Sequence, residues 1–83
     1  MPINNSTHIA NYDSALRALG DNLKRIRRQF SISQEQLAER CGLHRTYVGA
    51  VERGERNPSL TSLLRLSHGL GIPLSELVYG VDQ

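Results

Sequence analysis

The sequence predicts one compact all-α domain of five helices, on three observations. Eighty-three residues can enclose only one core. Apolar residues recur at spacings of three and four, and no segment alternates between turn signals as a strand does. Glycines at 42, 54 and 71 stand just past periodic segments, where a helix exit favours the left-handed conformation.

Leu16, Leu19, Leu23, Ile26 and Phe30 fall on one face of a first helix over about residues 14 to 29, capped by Asp13 or Ser14. Residues 1 to 13 are polar, Asn-rich and aperiodic, and are expected to form a mobile tail. Gly20 costs this helix about 1 kcal/mol relative to Ala, which predicts weak first turns. Ser33 and Gln36 make a capping box that opens a second helix at about 34 to 41, with Leu37, Ala38 and Cys41 inward and Gly42 as its stop. Leu43 is expected to plug the turn. A third helix runs over about 45 to 53 and stops at Gly54. Ser59 caps a fourth at 60 to 70, with Leu60, Leu63, Leu64 and Leu70 inward, and Pro73 opens a short fifth bearing Leu74, Leu77, Val78 and Val81.

Composition narrows the function. The single Cys excludes an internal disulfide and fits a reducing compartment, and no apolar run approaches the ~20 residues that span a bilayer. The start of the chain lacks the order of a signal peptide, so a soluble cytoplasmic protein without membrane contact is expected. Catalysis finds no support, because His8, His44 and His68 are scattered and no acid, base and nucleophile converge. Cys41 and His44 form a lone C-x-x-H, read as a buried thiol and a capping His; no metal, cofactor or small-molecule ligand is expected. Between Lys24 and Arg56 eight bases oppose four acids, a net of +4, while Arg17 and Arg65 against Asp13, Asp21, Glu76 and Asp82 leave −2 elsewhere. A polyanion-facing middle or a solvated basic surface would both produce that concentration.

The third helix decides between them. Its only bulky aliphatic residues are Val48 and Val51, a seam too narrow for an ordinary core helix. A helix that enters the major groove needs only such a seam, since its other faces must be free. The spacing of helix 2, the Gly42 turn and helix 3 is that of a DNA-binding helix-turn-helix. Arg45 and Thr46 stand in the first turn, where arginine matches guanine O6 and N7 and the threonine methyl packs on thymine. Gly49 and Ala50 follow one turn on, small enough to admit the bases. Backbone contacts are assigned to Gln34, Tyr47, Arg53 and Asn57, with Arg56 long enough to reach a base instead.

The stretch "SQEQLAERCGLHRTYVGAVERGERNPSL" resembles the lambda-repressor-like (Cro and xenobiotic-response-element) family, and "HRTYVGAVERGERN" is similar to the controller proteins of restriction-modification systems. The resemblance implies a compact five-helix lambda-repressor-like domain over residues 14 to 83, groove contacts by Arg45, Thr46 and Tyr47, and a base contact by Arg56. It also implies a structural pair between Arg27 and Glu52, and a small dimeric regulator of transcription. His44 at the helix 3 N-cap and Ser31 at the helix 1 exit depart from the family pattern, where Ser, Thr or Asp and Gly are usual.

One recognition helix discriminates by only about 1 to 3 kcal/mol per base pair, against ~10⁶ or more competing sites. A homodimer on a palindromic site of double-stranded DNA is therefore expected. Leu66, Leu74, Leu77 and Val78 are assigned to its interface, the other reading being that they complete the monomer core. The rival functions are an antitoxin-type subunit and a protein-interaction module on the same fold.

Overall fold

The computed structural model describes the backbone of residues 5–83 and the side chains from Tyr12 onward. Five helices follow one another: α1 (Asn5–Gln29), α2 (Gln34–Cys41), α3 (Arg45–Glu52), α4 (Leu60–Leu70) and α5 (Leu74–Leu77), with no strand among the described residues. α1 packs on α3 and α5, α2 packs on α3 and α4, and α4 closes on α5. One core results, from Leu19, Leu23 and Ile26 of α1, Leu37, Ala38 and Cys41 of α2, Val48 and Val51 of α3, Leu66 and Leu70 of α4, Leu77, and Ile32 between helices.

The first four helices end alike. At Ser31, Gly42, Gly54 and Gly71 the backbone turns left-handed, with φ of 57°, 67°, 74° and 70°. In each case the next amide reaches back to a carbonyl five residues earlier: Ile32 to Arg27 at 3.4 Å, Leu43 to Ala38 at 2.9 Å, Glu55 to Ala50 at 2.9 Å and Ile72 to Ser67 at 3.0 Å. Carbonyls that the helix leaves without partners are thereby satisfied. Three of the four reaching residues, Ile32, Leu43 and Ile72, also bury apolar surface at or against the core. Ser31 makes the same turn as the three glycines although it carries a Cβ.

Several expectations are corrected. α1 begins at Asn5, not near 14, so Asp13 and Ser14 lie within the helix instead of capping it. Residues 5–13, expected in a mobile tail, are helical, while the part of that expectation covering residues 1–4 lies outside the described residues. The apolar spacing Ile9, Tyr12, Leu16, Leu19 continues the helical period past the polar composition that had argued against it. Phe30 lies beyond the last helical residue and is half exposed, so it does not complete the inner face of α1 as expected.

Gly20 is no weak point. A Cβ there would stand 2.6 Å from the Val51 carbonyl oxygen and overlap that of Glu52, so the glycine is what lets α1 and α3 cross backbone to backbone. On α4 the phase is shifted from expectation. Leu60 and Leu64 point outward, 64% and 38% exposed, whereas Leu66 is fully buried. Leu77 of α5 is fully buried as well, so neither Leu66 nor Leu77 has surface to give to an interface. The inward stripe of α4 is centred on Leu63, Leu66 and Leu70; Leu63 and Leu70 are inward as expected, while Leu60 and Leu64 lie about 100° round the helix from its centre.

Candidate nucleic-acid interface

The support for α3 is assembled from three directions. The Ser33 hydroxyl accepts from the Gln36 amide at 3.0 Å and the Gln36 side chain accepts from the Ser33 amide at 2.8 Å, which fixes the start of α2. Val48 and Val51, both fully buried, anchor α3 from beneath. Beside them Glu52, also buried, accepts from Arg27 Nε at 2.6 Å and Nη2 at 3.1 Å, while Arg27 Nη1 donates to the Ile32 carbonyl at 2.8 Å. The hydrogen bond to Glu52 raises the Arg27 pKa above its ordinary value despite burial. This is the pair expected between Arg27 and Glu52, and it ties the end of α3 to α1.

Glu52 Oε1 has a further donor. Gln34 Nε2 reaches it at 2.9 Å, so the first residue of α2 is oriented by the same carboxylate that locks α3. Gln34 then lies over Gly49, where a Cβ would stand 3.4 Å from its Oε1 and 3.2 Å from Arg53 Nη1. Gly49 is thus buried under two side chains, which corrects its assignment as an open approach for a base. Its missing Cβ makes room for Gln34 and Arg53.

Toward solvent, α3 carries two shallow recesses with Thr46 on the ridge between them. One is lined by Gln34, Arg45, Thr46, Gly49 and Arg53. The other is lined by Gly42, Leu43, His44, Thr46, Tyr47, Ala50 and Arg56. Arg45, Thr46, Arg53 and Arg56 are exposed, and Ala50 and Tyr47 half-buried. Gln34, Tyr47 and the four residues expected to read bases other than Gly49 are therefore brought to one surface with Arg53. Asn57 is not among them: it lines an apolar groove with Tyr12, Leu16 and Pro58 instead.

Each polar group on this surface is lightly held. The Arg45 guanidinium is 3.7 Å from the Glu35 carboxylate, both exposed, a pairing that water and salt weaken to well under about 1 kcal/mol. Arg53 Nε donates to Glu55 at 3.0 Å, and that hydrogen bond holds the Glu55 carboxyl below its ordinary pKa. Arg56 sits 5.4 Å from the centre of the Tyr47 ring, which steers the guanidinium toward the recess containing Ala50. His44 occupies the position before α3 but does not cap it, contrary to expectation. Its Nδ1 lies 3.1 Å from the Thr46 hydroxyl, fixing that side chain's orientation. Sequence reading missed Glu35 and His44 as partners, since neither contact follows from helical spacing.

A family model described as "Helix-turn-helix" matches residues 23–77. The chain belongs to the helix-turn-helix family. Among its helix-turn-helix relatives, the control protein C.SmaI of Serratia marcescens is 47% identical over 60 residues, 72% of this chain and 71% of that one. The control protein C.MunI of Mycoplasma sp is 43% identical over 65 residues, 77% and 88% of the two chains. The crystal structure of the restriction-modification controller protein C.AhdI from Aeromonas hydrophila superposes with a TM-score of 0.74 at 47% identity, covering 75% of this chain and 94% of that one. In the present chain α2 and α3, both within the matched span, are accordingly the two helices of the family motif, with α3 in the place of the recognition helix.

Proposed function

We propose that this helix-turn-helix regulator of transcription reads a palindromic operator as a homodimer, in the role of a restriction-modification controller, and does so without catalysis. The observation that carries the reading is the outward face of α3. Arg45 and Thr46 stand in its first turn, exposed and weakly held, on a helix locked from behind by Val48, Val51 and the Arg27–Glu52 pair. Arg45 would leave Glu35 for guanine, a bidentate contact that contributes about 1–3 kcal/mol of discrimination. Thr46 offers its methyl to thymine, and Arg56 reaches a further base from its place over Tyr47. Gln34, Tyr47 and Arg53 take phosphates, setting register without reading sequence.

Similarity to control proteins of restriction-modification systems supports the narrower role. Self-association is assigned to the outer side of α4 and α5, where Leu60 and Leu64 are exposed and Leu74 and Val78 half-buried. Enrichment of bound sequences from a randomised duplex pool at about 0.15 M salt, where non-specific phosphate binding is weak, tests the proposal. The expected result is one palindrome with half-sites about a helical turn apart. A non-palindromic motif would remove the dimer, and no enrichment by folded protein would remove the regulator.

A further inference from the structure

His44 stands before α3, where a Ser, Thr or Asp side chain ordinarily caps the first amides, yet its ring makes no cap hydrogen bond. Its Nδ1 instead lies 3.1 Å from the Thr46 hydroxyl, two residues on. The stability that a cap would add is forgone at this position, and the ring is turned to a side chain in the first turn of α3. Both residues are exposed, on the recess that also holds Tyr47, Ala50 and Arg56.

A hydroxyl carries one hydrogen and two lone pairs, so its partner on one side decides what it offers on the other. With the neutral ring's hydrogen on Nε2, the form that imidazole favours in water, Thr46 donates its hydrogen to Nδ1 and keeps only lone pairs for a base. In the major groove lone pairs match an amino group, adenine N6 or cytosine N4. Protonation of the ring reverses the bond. Nδ1–H then donates to Thr46 Oγ1, and the freed hydroxyl hydrogen matches an acceptor, guanine O6 or N7 or thymine O4.

We propose that His44 is a positioning residue for base readout, which sets through the Thr46 hydroxyl whether Thr46 selects a donor or an acceptor on the base edge. The inference rests on the DNA-reading function above and names the part of its specificity that responds to pH. Charged and titratable groups face the ring from three elements. Glu35 and Glu39 of α2 and Arg45 of α3 share one recess with His44, and Tyr47 and Arg56 share the other. Arg65 of α4 donates to the Gly42 carbonyl at 3.4 Å, on the turn that leads into His44. Among these side-chain types imidazole alone ordinarily changes charge between about pH 5 and 8, so a pH step across that interval acts on the ring.

Fluorescence anisotropy on the intact chain tests it at about pH 5.5 and about pH 8, either side of the imidazole range. The duplexes are the enriched operator and versions carrying every base pair at each position of a half-site. Affinity ratios are taken between duplexes at one pH, so that the charge an imidazolium adds to binding of any sequence cancels. At one base pair of each half-site the wild type is expected to shift its preference about tenfold, from adenine or cytosine on one strand at high pH toward guanine or thymine at low pH. Thr46→Val keeps the shape without the hydroxyl, and His44→Asn supplies a cap that does not titrate. Both are expected to bind with ratios that do not move with pH, circular dichroism verifying that they fold. Sequence-specific binding by the wild type with no ratio that moves with pH would overturn the proposal, as would a shift that survives in Thr46→Val. Absence of any sequence preference at either pH would overturn the DNA-reading function itself, and the proposal with it.

Discussion

Arg27 on α1 and Glu52 at the end of α3 share two hydrogen bonds, of 2.6 Å and 3.1 Å, and the same carboxylate accepts a third from Gln34 on α2. One buried anion thus holds three helices in register around the recognition helix. Glu52→Ala leaves the Arg27 guanidinium buried without its anion and is expected to cost about 3 kcal/mol, read from the midpoint of urea unfolding. The paired change Arg27→Met with Glu52→Leu is expected to restore most of that loss. Equal damage from the single and the paired change would mean that the pair's charges are not what matters there.

Gly20→Ala should run against the usual rule. Alanine ordinarily stabilises a helix interior by about 1 kcal/mol relative to glycine. Here the added methyl meets the backbone of Val51 and Glu52, which cannot swing aside as a side chain would. A net loss of about 2 kcal/mol in chemical unfolding is expected, and a gain would show that α1 and α3 have room to separate.

Ser31 is the counterpart. With φ of 57° it takes the turn that glycine takes at the ends of α2, α3 and α4. Ser31→Gly is expected to raise stability by about 1 kcal/mol, since the left-handed conformation no longer opposes a Cβ. No change in melting temperature would indicate that the serine turn carries no strain.

Burial at the crossing of α2 and α4, where a Cβ on Gly69 would overlap its sulfur, pushes the Cys41 thiol up from its ordinary pKa. A raised folded value means that the contribution to stability is complete below the unfolded thiol's pKa and is lost as pH climbs through the folded one. At pH 8 a disulfide reagent is therefore expected to label Cys41 at least about 100-fold more slowly in the native chain than in urea, following the thiolate fraction and access. Comparable rates would mean that α2 and α4 open readily.

These cases separate what the sequence could carry from what it could not. The Ser33–Gln36 box, the Gly42 and Gly71 exits and the inner residues of α2 are local chemistry, and each is found as spacing predicts. Arg27–Glu52 came through family resemblance and is present. The errors concern how elements meet. Gly20 reads as a weakness until α3 lies across it, and Gly49 reads as open until Gln34 and Arg53 cover it. Leu66 is misplaced because the leucines of α4 spread over an arc of about 160°, so periodicity alone does not choose the centre of its inner face, and Leu77 because the packing of α5 on α1 and α4 is not written in its own spacing. The Glu35–Arg45 and His44–Thr46 contacts depend on side-chain rotamers.

In the proposed complex α3 reads bases through Arg45, while the flanking Arg53 only holds the DNA backbone. Fluorescence anisotropy on the enriched operator, and on versions substituted one base pair at a time, compares Arg45→Ala with Arg53→Ala. Arg45→Ala is expected to lose about 1–3 kcal/mol on the operator and to become indifferent at one base pair of each half-site. Arg53→Ala should weaken all sequences alike and lower the salt dependence. Uniform weakening by Arg45→Ala, with every base preference intact, would contradict it.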